Sequence, residues 1–175
     1  MLELAILGFL NEAPLHGYEL RKRVAALTGH VRPIADGTLY PAIKRMEQAG
    51  LLCRDIQAGQ RAAPRHVLSL TEAGRSELLR RLSSPDDLFI SDENRWFTLL
   101  AFLRQLHEPA VQATVLRRRL VFLTEPASFF WDGDRPLREK DFPDDPFRQG
   151  LFRIATATSR TEIRWLRETL AALGG

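Results

Sequence analysis

Thr38, Tyr40, Lys44, Arg45 and Gln48 lie in one short stretch of this 175-residue chain, and each carries a hydrogen-bond donor. Leu39, Ile43 and Met46 recur between them at helical spacing, so a helix over 38–49 has an apolar back and a polar front. A reader of duplex DNA needs that division, because the major groove is about 12 Å wide and admits one α-helix whose front meets base edges. The hydroxyls of Thr38 and Tyr40 stand at the helix N-terminus, where backbone N–H groups and the dipole also favour a phosphate, and Lys44 follows one turn on. Thr38 is the expected N-cap, which puts Pro41 in the first turn, where a missing N–H is harmless. Arg61 and Arg65 bracket a loop further on and can reach phosphates or the minor groove, a sequence-tolerant contact. Amphipathic helices with polar fronts are also ordinary, and the same arrangement serves protein-binding modules, so the residues alone leave both readings open.

The elements around this helix give it a frame. Residues 1–12 are apolar at Leu2, Ala5, Ile6, Phe9 and Leu10, a helix with one buried stripe that Pro14 ends. A second helix starts near His16 or Gly17, carries Leu20, Val24 and Leu27 on one face with Arg21, Lys22 and Arg23 turned away, and stops near Gly29. Gly50 takes the C-cap of the third. The period then changes: 51–57 and 65–70 are short and rich in branched residues, an antiparallel pair joined by AGQRAAP. Thr71-Glu72 caps a fourth helix bearing Leu78, Leu79 and Leu82. Three helices, a hairpin and a helix are the order of a winged helix-turn-helix, with the wing at 58–65.

Residues 83–87 read as a linker. Asn94–Leu106 is apolar on nearly every side and should be a buried helix. Pro109–Leu123 makes another, with an exposed Arg117-Arg118-Arg119 run. Residues 126–149 hold four prolines and no period, a loop-rich excursion. A last helix, about Gly150 to Leu173, repeats Phe152, Ala155, Ile163, Leu166 and Leu170 close to a seven-residue seam. The expected fold class is therefore mainly α with a small β-hairpin: a winged helix-turn-helix domain over 1–83, then an all-α dimerisation domain over 84–175.

Composition narrows the function. Hydrophobic residues make up 45% and charged residues 27%, an ordinary globular balance. No stretch of about 18 apolar residues exists and Met1 leads into no basic segment, so neither a membrane span nor a signal peptide is expected and the chain reads as cytoplasmic. The net charge is +3, yet it is uneven: residues 1–82 hold 12 bases and 8 acids, residues 83–175 hold 13 bases and 14 acids. A weakly basic first part permits a phosphate-bearing partner without requiring one. The four His are isolated and Cys53 is the single thiol, so no metal and no other cofactor are expected, and Cys53 reads as a small buried hydrophobe. Asp132-Gly133-Asp134 has Gly and Pro where a calcium loop needs ligands, and reads as a solvated acidic loop. His16 is expected to cap or pack at a helix start. With no phosphate loop, nucleophile elbow or carboxylate pair, the chain is not expected to be an enzyme.

Three blocks in order, LAILGFLNEAPLHGYEL, DGTLYPAIKRMEQAGLL and PRHVLSLTEAG, resemble the PadR family of bacterial transcriptional regulators over roughly residues 2–82. The resemblance implies a dimeric repressor on a pseudo-palindromic operator of double-stranded DNA, with Thr38, Tyr40, Pro41 and Lys44 at the DNA-facing positions of the recognition helix. The wing departs from the family's G-R-P-[RK]-x-[YF]: this chain has Ala62-Ala63-Pro64-Arg65-His66-Val67, so Arg65 carries over and Arg61, two residues upstream of the expected arginine, stands as a substitute. The last helix, with Glu162 to Leu166, is similar to the dimerisation helix of members with long C-terminal domains. Two half-sites need a fixed spacing near one helical turn, about 34 Å, which a homodimer supplies. The seam Phe152, Ala155, Ile163, Leu166 and Leu170 is the candidate contact, its alternative being packing within the chain. Some relatives sense flat aromatic compounds in aromatic-lined hollows, which makes Trp96 and Trp165 the candidate effector pocket; their alternative is to fill a core. Two other functions stay open: a winged-helix protein-interaction module, and a small-molecule-binding protein without specific DNA readout.

Overall fold

The computed structural model describes residues 1–28, 36–57, 65–126 and 130–174. Helix α1 (Leu2–Glu12) buries Leu4, Ala5, Ile6, Leu7, Gly8 and Leu10, most of its circumference rather than one stripe. The reason is its central place: α2 (Gly17–Thr28), α3 (Asp36–Gln48), β3 (Arg65–Leu70), α4 (Glu72–Ser83) and α6 (Glu93–Phe102) all pack on it. At Gly8 a Cβ would lie 2.5 Å from the Phe102 ring, and Phe9 meets that ring edge-on with centroids 5.0 Å apart. Ala13 leaves the helix in extended backbone, as a residue before proline must.

The expected pair of strands is a three-stranded antiparallel sheet in the order β1-β3-β2, where β1 is Leu15–His16 and β2 is Leu52–Gln57. Two residues are too short for a periodic signal; Leu15 pairs with Leu68 and His16 with Val67. His16 also starts α2: its backbone N–H donates to Glu19 and its Nδ1 lies 3.1 Å from the His66 carbonyl. In β2, Leu52 points inward, so the next residue points out. Cys53 is accordingly exposed, not a buried hydrophobe, with Sγ 3.1 Å from the Ser69 hydroxyl across the pair.

One corner fixes the sheet against the helices. Gly50 ends α3 at φ +71, and the N–H groups of Gly50 and Leu51 return to the carbonyls of Glu47 and Met46. Thr71 donates to the Gly50 carbonyl at 2.6 Å and accepts from the N–H of Gly74, capping α4 as expected. A Cβ on Gly74 would stand 2.1 Å from the Leu51 carbonyl oxygen, so the glycine lets helix and strand backbones touch.

Two compact units result, Met1–His107 and Glu108–Gly175. The polar run at 83–87 does not part them, because α5 (Asp87–Ser91) and α6 continue the first unit. Asp92 caps α6 by accepting from Arg95 N–H, and the helix expected over 94–106 tightens after Phe102 into a 3-10 turn that His107 closes at φ 54. Trp96, Leu99 and Phe102 are buried there, while Phe97 is 48% exposed.

The second unit packs α7 (Pro109–Thr124) on α8 (Pro146–Ala172). Arg119 is buried, not exposed with Arg117, because its guanidinium reaches both carboxylate oxygens of Glu162 at 2.7 and 3.0 Å. The excursion holds order that composition hid. Strands β4 (Trp131–Asp132) and β5 (Arg135–Pro136) form a hairpin turned at Gly133, φ +58, and Asp132-Gly133-Asp134 is the exposed acidic loop at its tip. Phe130 and Phe142 pack on Phe152 with centroids 5.1 and 5.0 Å away. Helix α8 starts four residues before Gly150, because Asp145 caps it through the N–H groups of Phe147 and Arg148 and Pro146 suits the first helical position. Among the described residues no helix is long and apolar enough to cross a membrane.

Candidate nucleic-acid interface

Helix α3 divides cleanly. Leu39, Ala42, Ile43 and Met46 are buried, while Thr38, Tyr40, Pro41, Lys44, Arg45 and Gln48 are exposed. At 100° per residue, Tyr40, Lys44 and Gln48 make one row a turn apart, with Pro41 and Arg45 beside it and Thr38 at the far edge. The structure thus brings the four expected helix residues onto one outward face. Tyr40 is 47% exposed, and its ring stands over Gly17, where a Cβ would lie 3.5 Å from Cε1.

Thr38 is not the N-cap. The helix begins at Asp36, so the cap position is residue 35, outside the described residues, and Thr38 is the third helical residue. Pro41 then lies inside the helix, with no N–H to offer the Gly37 carbonyl, and the helix loses one interior bond at its exposed face.

Two ion pairs hold α3 to its frame, and a third ties α4 to α1 through one of the same carboxylates. Arg54 on β2 donates to both oxygens of Glu47 at 2.8 and 3.0 Å, and this partner raises the already high pKa of Arg54. Arg45 lies 3.9 Å from Glu3 on α1, and Arg81 on α4 lies 3.1 Å from the same carboxylate. Among the described residues, Lys44 is the cation of α3 that no carboxylate holds. Sequence reasoning missed these pairs, since partners so far apart in the chain leave no periodic trace.

The wing is partly outside the described residues: Arg61 lies there, and so does the side chain of Arg65, whose backbone opens β3 opposite Gln57.

The candidate seam and effector residues belong to different places. Phe152, Leu166 and Leu170 are already buried in the single chain, and Ala155 and Ile163 line a cavity of the second unit. Trp96 is 0% exposed in the core of the first unit, which is the packing role, and does not line that cavity. Trp165 is 38% exposed on α8 and does not line it either; Trp131 does. Among the described residues no group of three His, Cys, Asp or Glu side chains is placed to hold a metal.

Among solved structures, a transcriptional regulator from Clostridium thermocellum is 26% identical, over 45% of this chain and 76% of its own, with a TM-score of 0.41. Bacillus subtilis PadR in complex with operator DNA is 20% identical over 98% of both chains, with a TM-score of 0.44. The Bacillus subtilis PadR complex with p-coumaric acid is 19% identical over 99% of both chains, with a TM-score of 0.38. No curated protein matches the chain. The family model that matches is that of PadR-like transcriptional regulators, and it takes in residues 6–80, a span that holds most of α1, with α2, α3, the sheet and the Thr71–Gly74 corner. Over those residues, less than half of the chain, the sequence is similar to the transcriptional regulator PadR-like family.

Proposed function

We propose that this protein is a cytoplasmic, dimeric repressor that binds a pseudo-palindromic operator and catalyses nothing. The observation that carries the reading is the divided surface of α3: four buried apolar side chains hold it to the core while Thr38, Tyr40, Pro41 and Lys44 face out together. The winged helix-turn-helix of residues 1–83 does the binding. In it, Tyr40 and Lys44 enter or flank the major groove, Thr38 and Pro41 meet the backbone beside them, and Arg65 with Arg61 holds phosphates from the wing.

Pairing of two copies sets the half-site spacing, and α8 supplies the contact. Because Phe152, Leu166 and Leu170 are spent within the chain, the outward row of Phe147, Leu151, Ile154 and Trp165 takes that work. These residues recur at four, three and eleven positions, so they share one face of α8, and Phe147 and Ile154 are 88% and 68% exposed. Such a row is costly in water and is what a helix pairing with its copy presents.

Binding of a promoter fragment at two salt concentrations tests the reading. A specific shift that weakens steeply with salt is expected, and Lys44→Ala should lower affinity and reduce the salt slope by about 1. An unchanged affinity and slope would remove Lys44 from the interface, and no specific shift at all would favour a protein-interaction module.

A further inference from the structure

Lysine is scarce in this chain: of 25 basic residues, 22 are Arg and three are Lys, at Lys22, Lys44 and Lys140. The difference is chemical as well as electrostatic. A guanidinium keeps its charge in proteins, whereas an amine that gives up its proton is a nucleophile and can be acylated. Lys44 is exposed on the outward row of α3, so an amide formed there removes a charge from the middle of that face.

The neighbours of Lys44 keep its amine free. The carboxylate best placed to hold it is Glu47, one turn on at i+3. Both oxygens of Glu47 are taken by Arg54, at 2.8 and 3.0 Å, and on the opposite flank of the helix Arg45 is drawn to Glu3. Lys44 stands between these two pairs, and among the described residues it has no carboxylate of its own. Lys140 has the contrary setting: it sits between Glu139 and Asp141 in a 3-10 turn and interacts electrostatically with the Asp141 carboxyl. An acyl phosphate joins an activated carbonyl to a phosphate, so its negative charge is drawn to a bare cation and turned away from one flanked by acids.

We propose that Lys44 is an acyl-acceptor site for a small acyl phosphate, and that its acylation switches off the outward face of α3. The deprotonated Nζ attacks the carbonyl carbon and a C–N bond forms. The C–O bond to the phosphate breaks, inorganic phosphate leaves with that electron pair, and the surplus proton on nitrogen passes to the phosphate. The product is a neutral amide, and nothing is oxidised or reduced. The switching rests on the DNA reading, whereas the site itself does not.

The test treats the full chain with acetyl phosphate and maps acetyl-lysine by peptide mass spectrometry. Lys44 should react at least about threefold faster than Lys140, and the neutral donor N-acetoxysuccinimide should narrow that ratio. Arg54→Gln releases Glu47 to pair with Lys44 and should slow the reaction of Lys44 with the neutral donor by about twofold, with Lys140 as internal reference. On the promoter fragment, acetylated protein should bind about tenfold more weakly and with a salt slope lower by about 1. Lys44→Arg, compared only with itself before and after treatment, should change by less than about twofold although Lys22 and Lys140 still react. Circular dichroism checks the fold of both variants. The proposal is overturned if Lys44 reacts no faster than Lys140 or if Arg54→Gln does not slow it. It is overturned equally if treated Lys44→Arg loses affinity as the parent does, which would assign the effect to Lys22. An untreated protein that shifts no DNA counts against the DNA reading instead, and the mass-spectrometric arms still decide the site.

Discussion

Gly74 and Gly50 show how differently two glycines of one corner are required. A methyl at Gly74 meets a backbone carbonyl 2.1 Å away that can move only if strand or helix moves with it. A methyl at Gly50 meets nothing within 4 Å, and only its φ of +71 resists the change. Gly74→Ala should therefore cost about 2 kcal/mol or more, and Gly50→Ala about 1 kcal/mol, with Gly50→Asn milder still. Urea unfolding curves of the three variants check the order, and equal losses for the two alanines would show that the corner is not tight. The glycines were legible in the sequence as motif letters. The C-cap role of Gly50 was legible too, but the reason for Gly74 was not, because it answers to the Leu51 carbonyl more than twenty residues upstream.

Within single elements and their packed pairs, charge does the work that pattern cannot show. On α4, Arg80 and Arg81 both donate to Glu77, and these bonds outweigh its partial burial and lower its pKa from 4.5 to about 2. A carboxyl whose folded pKa is depressed stabilises the fold above its unfolded pKa and stops doing so as pH falls through the folded one. Stability should thus decline between about pH 4.5 and pH 2 by about 1 kcal/mol from this group, and Glu77→Gln should flatten that part of a stability–pH profile. The buried pair of α7 and α8 behaves otherwise. Arg119→Ala leaves the Glu162 carboxylate without its main partner and should cost about 3 kcal/mol, whereas Arg119→Met with Glu162→Leu should recover most of it. Thermal unfolding of the single and double variants distinguishes a true pair from two independent surface charges, for which the losses would simply add. In the sequence Arg119 was one letter of an exposed-looking run; its burial depends on which face of α7 meets α8.

At the scale of the molecule, the long helix α8 carries two apolar faces. The seam Phe152, Ala155, Ile163, Leu166 and Leu170 turns into the chain, and Phe147, Leu151, Ile154 and Trp165 turn out. Ile154→Asp combined with Phe147→Asp should convert a dimer to monomer in sedimentation without lowering the unfolding temperature of the monomer, and operator affinity should fall with it, since one half-site alone binds weakly. A variant that stays dimeric would move the contact elsewhere. Heptad-like spacing identified a helix with something to bury, but both rows fit that spacing and only packing tells them apart.

The sequence by itself determined the winged-helix order, the apolar back and polar front of α3, the capping of α4 by Thr71 and the family resemblance of residues 6–80. Each is a local pattern, a period of 3.6 or 2 or a motif at fixed spacing, and such patterns survive without knowledge of neighbours. The tertiary structure alone decided that Trp96 is core, that Cys53 is exposed, that Arg119 is paired, that the first unit runs on to His107, and that the proline-rich excursion walls a cavity with Trp131. Burial and pairing belong to residues brought together across the chain, and the same apolar or charged letter serves core, partner or ligand according to what stands opposite it.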